Sequence, residues 1–262
     1  MPEPTSQLPT KPFLIPAPPA LRLIKKHPTA TRWMHWLNFP LLFLMIYSGL
    51  MIYWADSIPG QGGKHQVYRI GFGSFTLFRL FPDKFYSLLR IPHHFPQGLG
   101  LHALGMWFFT VNGIAYFLFL AISGQWRHIL PDRKAFTQLA ATIRAELTGR
   151  HLPHSGMKYN PAQRLAYTMV MLMGAGSVLT GAAIWKPTSL HLITTLCGGY
   201  QTARWLHFWL TIGFCLFFVA HVVHVFRAGW NNLRSMITGF EITRNQITSA
   251  EDVPIPAQRL IK

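Results

Sequence analysis

The fold of this 262-residue chain is decided by one stretch, Arg204 to Phe226, RWLHFWLTIGFCLFFVAHVVHVF. After Arg204 it holds no formal charge, and it is long enough to cross a hydrocarbon core of about 30 Å as a single α-helix. Yet it carries His207, His221 and His224, and ionisable groups inside a membrane are costly enough to be functional candidates by default. His207 and His221 are 14 residues apart. At 3.6 residues per turn that spacing keeps the two side chains within about 40° of one helix face and roughly 21 Å apart in depth, whereas His224 is turned about 100° away.

Three further runs read as spans. Trp33 to Ala55 is uncharged and rich in Leu, Phe, Met and Ile; about Gln97 to Ile122 is uncharged as well; Pro161 to Trp185 has Pro in a helix-compatible first turn and Arg164 near its interface. The expected architecture is therefore all-α: an integral membrane bundle of four helices, about 33–55, 97–122, 161–185 and 204–226. Trp33, Trp36, Trp54, Trp126, Trp185, Trp205 and Trp230 fall at or near the ends of these segments, as an aromatic belt at the lipid–water boundary would place them. Composition agrees, since the chain is 50% hydrophobic and only 12% charged against about 25% charged for an ordinary soluble domain; a soluble enzyme is nearly ruled out. Seven prolines among the first 24 residues exclude an apolar helical signal segment there and predict a flexible tail. The domain reading is a Pro-rich tail over 1–29, a membrane domain over 30–245 and a C-terminal tail over 246–262.

The formal charge of +16, from 24 Lys+Arg against 8 Asp+Glu, raises the question of nucleic acid, but such a footprint needs basic residues clustered on one face. Here they lie between apolar runs, so no nucleic-acid partner is expected. Four spans place both termini on one side. The N-terminal tail to Arg32, the 123–160 connection and the segment after Phe226 together hold 16 Lys/Arg, against six in the other two connections. By the positive-inside rule both termini are expected on the cytoplasmic side. The aromatic and apolar part of the 55–98 connection, 66–91, is expected along the outer membrane surface or against a partner protein.

Orientation sorts the membrane histidines by depth. His35 begins the first span and is inner; His102 begins the second and is outer; His207 is outer and His221 inner. They resolve into an outer pair, His102 with His207, and an inner pair, His35 with His221. Two opposed imidazoles at one depth can be the axial ligands of a haem iron. The set therefore predicts two stacked b-type haems, each six-coordinate. Cys197 and Cys215 are the only cysteines, too few for a C-x-x-C-H attachment or a zinc site. Small residues should accompany flat macrocycles: Gly49 lies 14 residues after His35, at the outer level, and Gly113 lies 11 after His102, at the inner level. Arg32 and Arg204 each stand three residues before a ligand, in Arg32-Trp33-Met34-His35-Trp36 and Arg204-Trp205-Leu206-His207-Phe208-Trp209. They are candidates to pair with haem propionates, with interfacial anchoring as the plainer reading.

These features resemble the di-haem cytochrome b family that forms the membrane subunit of nickel-iron hydrogenases, respiratory formate dehydrogenases and thiosulfate reductases. The similarity covers about 30–245 and rests on His35 in its R-W-x-H-W context, His102, and the His207/His221 spacing. Lys158-Tyr159-Asn160-Pro161-Ala162-Gln163 and Met236-Ile237-Thr238-Gly239 add to it. The resemblance implies an electron-transfer subunit between an oxidoreductase partner in the periplasm and quinone in the membrane, the outer haem facing the partner. It implies a quinone site near the cytoplasmic end, with Asn160 and Gln163 as hydrogen-bonding candidates and His224 or His154 as proton carriers. The long 55–98 connection departs from simple hydrogenase and formate dehydrogenase relatives and favours a molybdopterin enzyme as partner. Two alternatives stand beside this reading: a stand-alone haem b quinone oxidoreductase acting on a small species such as superoxide, and a haem-free membrane anchor or proton-coupled transporter.

Overall fold

The computed structural model describes residues 21–55, 70–78, 83–92, 94–148 and 159–244. In chain order the elements are β1 (Leu21–Lys25), α1 (Thr29–Ala55), β2 (Ile70–Phe72), β3 (Phe75–Phe78), α2 (Asp83–Leu88), α3 (Phe95–Ser123), α4 (Trp126–Ile129), α5 (Arg133–Thr148), α6 (Pro161–Trp185), α7 (His191–Leu196), α8 (Tyr200–Ala228), α9 (Trp230–Thr238) and β4 (Phe240–Arg244). α1, α3, α6 and α8 are long and apolar enough to cross a membrane, and each contains the range expected from sequence. Local signals set their ends. α3 stops at Gly124, whose φ of 67° is left-handed and suits glycine. α6 starts at Pro161 behind a capping box in which Asn160 and Gln163 satisfy each other's backbone N–H groups.

Thr29–Ala228 forms one compact unit. Within it α1 packs on α3 and α6 packs on α8 as the two closest helix pairs. Glycine permits the first approach: a Cβ added at Gly98 would lie 2.8 Å from Met51 Cβ and 3.3 Å from the Ile52 backbone nitrogen. Lower on the same seam Asn112 donates to Asn38 Oδ1 at 2.8 Å and to the Met34 carbonyl at 3.2 Å, a polar link of the kind that joins membrane helices. α8 touches both partners of the first pair, through Phe218 against Phe39 and Phe43 of α1 and through Phe214 against Phe109 of α3. Side chains such as Ile122, Leu172, Leu216 and Phe226 are exposed on the long helices. Contiguous apolar surface of this kind is what a bilayer covers.

The connections carry more structure than their sequence suggested. Asp132 caps α5 by accepting the Ala135 N–H at 2.8 Å, and the buried Arg164 of α6 pairs with Asp132 at 3.3 Å and donates to the Leu130 carbonyl. In the 55–98 connection, the described residues form an antiparallel β2–β3 hairpin and α2. Tyr86 and Ile91 are buried against Met51, with Leu50, Phe85 and Leu101 packed around them, and Tyr47 donates to the Arg90 carbonyl at 3.3 Å. Part of this connection therefore folds onto α1 and α3 instead of lying wholly along a membrane surface, because Tyr86 and Ile91 bury against apolar groups already present there. Phe75 and Leu88 stay exposed; Tyr68, Leu80 and Phe81 lie outside the described residues.

A second unit joins the chain before Thr29 to the chain after Ala228. β1 and β4 pair antiparallel from Leu21 opposite Arg244 to Lys25 opposite Phe240. Lys26 Nζ lies 2.9 Å from Glu241 and 2.9 Å from Asn232. Part of the segment expected to be a flexible tail is thus a strand, since Leu21-Arg22-Leu23-Ile24-Lys25 lies between Pro19 and Pro28, holds no proline and can form a full ladder. With β2–β3 it also departs from a purely α architecture, though only outside the spans. Residues 1–20 and 245–262, which hold most of both expected tails, lie outside the described residues.

Candidate functional site

The structure brings the four histidines together as two facing pairs. His35 of α1 meets His221 of α8 with ring centres 5.9 Å apart and planes at 54°. His102 of α3 meets His207 of α8 with ring centres 6.1 Å apart and planes at 69°. The 14-residue spacing in α8 sets the two levels. α1 and α3, running in opposite directions, each present a histidine near their own start, so each reaches a different level.

The pairs suit a metal held between two imidazoles. Two metal–nitrogen bonds of about 2 Å, plus roughly 1 Å from each nitrogen to its ring centre, place ring centres about 6 Å apart. Among the described residues no group of three or more His, Cys, Asp or Glu side chains could hold a bare metal ion. Two opposed histidines with no third protein ligand match a metal that brings its own equatorial ligands, which is what a porphyrin does.

Each pair has its own surroundings. At the His102–His207 level Ser48 Oγ lies 3.0 Å from His102 Nδ1 and Thr180 Oγ1 lies 2.9 Å from His207 Nδ1. A Cβ added at Gly49 would be 3.6 Å from His102 Cε1, and one at Gly181 would be 3.3 Å from His207 Cε1. At the His35–His221 level Phe217 stacks on His221 at 5.8 Å and 12°, and Trp36 stands edge-on to His35 at 5.3 Å. A Cβ at Gly113 would meet nothing within 4 Å, leaving room beside α3. His224 is exposed and off the paired face.

Arg32 and Arg204 are half-buried one turn before their histidines, and the Arg204 guanidinium also lies over the Tyr200 ring at 5.8 Å. Asn160 and Gln163 are engaged in starting α6, where Asn160 Oδ1 accepts the Gln163 N–H at 2.8 Å and Gln163 Oε1 accepts the Asn160 N–H at 3.2 Å. Tyr159, next to Asn160, packs against Tyr167 at 5.1 Å, and burial raises its phenol pKa above the ordinary value. Lys158 and His154 lie outside the described residues. Sequence reasoning singled out Gly49 and missed Ser48 beside it, and it missed Thr180 and Gly181 altogether. The signal was a hydroxyl–glycine dipeptide within two separate spans, which is inconspicuous because Ser, Thr and Gly are common where membrane helices pack.

Comparison with known proteins follows the same lines. A family model described as prokaryotic cytochrome b561 matches residues 26–239. A protein of Azospira oryzae, provisionally named protein-methionine-sulfoxide reductase subunit YedZ1, is 28% identical over 185 residues, covering 70% of this chain and 80% of that protein. With four helices fit to cross a membrane and a match over most of its length, the chain belongs to the prokaryotic cytochrome b561 family and is a multi-pass bacterial membrane cytochrome that transfers electrons with haem b.

Proposed function

We propose that the protein holds two haems b, one between His35 and His221 and one between His102 and His207, and links an oxidoreductase partner in the periplasm to quinone in the inner membrane. The observation that carries this reading is the pair of facing imidazole sets at two levels of one bundle, 5.9 Å and 6.1 Å between ring centres. When bound, the haems supply reversible one-electron exchange between ferric and ferrous iron.

The chain's own residues do the rest. Each histidine would offer a neutral imidazole nitrogen to a bound haem, and a pair of them would leave its iron closed to oxygen. Phe217, Phe218, Phe214 and Phe109 close the space between helices with apolar rings, which lowers the local dielectric and excludes water. Arg32 and Arg204, one near each membrane face, are the cations proposed for the propionates. At the cytoplasmic end Asn160 and Gln163 use their side-chain oxygens in the α6 cap. Their amide N–H groups are therefore what they present to a quinone carbonyl, with the Tyr159 hydroxyl as a neighbouring donor.

The partner is inferred by analogy. The Azospira oryzae relative is named as a subunit of a reductase acting on methionine sulfoxide in proteins, which supports a partner that consumes electrons drawn from quinol; a molybdopterin enzyme remains our choice. The test is selective removal. His102→Ala or His207→Ala should leave only the inner haem, and His35→Ala or His221→Ala should leave only the outer one. Variants that keep two haems with unaltered titrations sink the assignment. Purification in mild detergent should bring down an oxidoreductase subunit, and recovery of the cytochrome alone at full quinone activity would argue for a stand-alone enzyme.

A further inference from the structure

Two helices that do not carry the outer histidines nevertheless treat them alike. In α1, Ser48 is fully buried and its Oγ lies 2.6 Å from the Leu44 carbonyl and 3.0 Å from His102 Nδ1. In α6, Thr180 is buried and its Oγ1 lies 2.7 Å from the Gly176 carbonyl and 2.9 Å from His207 Nδ1. A glycine follows each hydroxyl residue, and a Cβ added at Gly49 or Gly181 would come within 3.6 Å or 3.3 Å of the imidazole Cε1. The same grip, a hydroxyl on Nδ1 and a bare backbone beside Cε1, is built twice from different helix pairs.

The direction of these bonds follows from donor counting. Each hydroxyl has one hydrogen, and the short contact to the carbonyl four residues earlier takes it. Its remaining capacity toward the ring is as an acceptor, so His102 and His207 each donate Nδ1–H to it. A neutral imidazole protonated at Nδ1 has its lone pair on Nε2, the nitrogen that is left for a metal. An Nδ1–H hydrogen bond also fixes the ring about its bond to Cβ and raises its basicity toward the metal.

From this we infer that Ser48 and Thr180 are positioning residues of the outer haem: they lock the Nδ1–H tautomer of both its ligands, and by strengthening those ligands they favour ferric iron and hold the outer midpoint potential down. This rests on His102 and His207 being the outer ligands. Gly49 and Gly181 allow the rings to sit where the hydroxyls can reach them. The electrons and protons balance without a further reagent, since the residues change only the equilibrium of an existing one-electron couple.

The experiment is a redox titration of the purified, haem-loaded protein, followed optically, with low-temperature EPR of the ferric form. Ser48→Ala and Thr180→Val remove the hydroxyl acceptor while keeping size nearly constant, leaving the Met45 and Ser177 backbone contacts of the two rings in place; Thr180→Ser keeps the hydroxyl. His102→Ala first shows which midpoint belongs to the outer pair. Ser48→Ala and Thr180→Val should each raise that midpoint by a three- to tenfold change in the reduction equilibrium, up to about 59 mV. They should alter the outer ferric g-values and leave the inner midpoint in place, while Thr180→Ser stays close to the parent. Selective loss of the outer haem in Thr180→Val, restored in Thr180→Ser, supports the same role. Unchanged midpoints and g-values in both hydroxyl-free variants overturn the inference while leaving the ligand assignment standing. Two intact haems in His102→Ala would instead overturn the assignment beneath it.

Discussion

Asp132 and Arg164 form the residue-scale contact least visible in the sequence. They are 32 positions apart, and only the folded connection puts the Asp132 carboxylate 3.3 Å from the Arg164 guanidinium. The Ala135 N–H first, and Arg164 with it, hold the Asp132 carboxyl below its ordinary pKa. A depressed folded value means that its contribution to stability is present above the ordinary carboxylate range and is lost as pH falls through the folded value. Asp132→Asn should therefore melt below the parent in detergent at neutral pH, with the gap closing in acid; a gap independent of pH contradicts that role. Arg164→Ala leaves the Leu130 carbonyl without this donor and should cost about 2 kcal/mol, measured by thermal or denaturant unfolding in detergent. The four paired histidines were legible because spacing and direction alone set their level and face. Ser48 and Thr180 were not, because a hydroxyl in a membrane helix commonly bonds its own backbone four residues earlier, and only the neighbouring helix reveals its second partner.

The long helices were legible as elements because each is an apolar run nearly free of charge and bounded by Pro, Gly or charge, and their ends moved by no more than four residues. Short elements were not. β1, β2, β3 and β4 span three to five residues, too few to establish a period of two, and β1 finds its partner more than 200 positions away. The α1–α3 seam offers a test at this scale. At Gly98 a new Cβ would press on Met51 Cβ and on the Ile52 backbone, neither of which can swing aside. Gly98→Val should destabilise the pair by about 1–3 kcal/mol, read as a lower melting temperature with faster haem release, whereas Gly100→Val, where a Cβ meets nothing within 4 Å, should leave both near the parent values.

For the whole molecule, the basic excess that first suggests nucleic acid acquires another meaning once the spans are placed. Sixteen Lys/Arg fall in the tails and the 123–160 connection, and the segments flanking the first and fourth spans are hydrogen-bonded as β1 and β4, which agrees with an even number of crossings. A fluorescent protein fused after Lys262, one that matures only in the cytoplasm, should be bright, and a periplasmic alkaline phosphatase fused there should be inactive; the reverse pattern would invert the membrane orientation and exchange inner for outer. Partner and quinone type were not legible, since they depend on surfaces and contacts that no periodicity encodes. The central claim, that two imidazole pairs hold two haems, is tested most directly by the pyridine haemochrome ratio of haem b to protein in the purified chain. Two haems per chain is the predicted result, and one or none contradicts it.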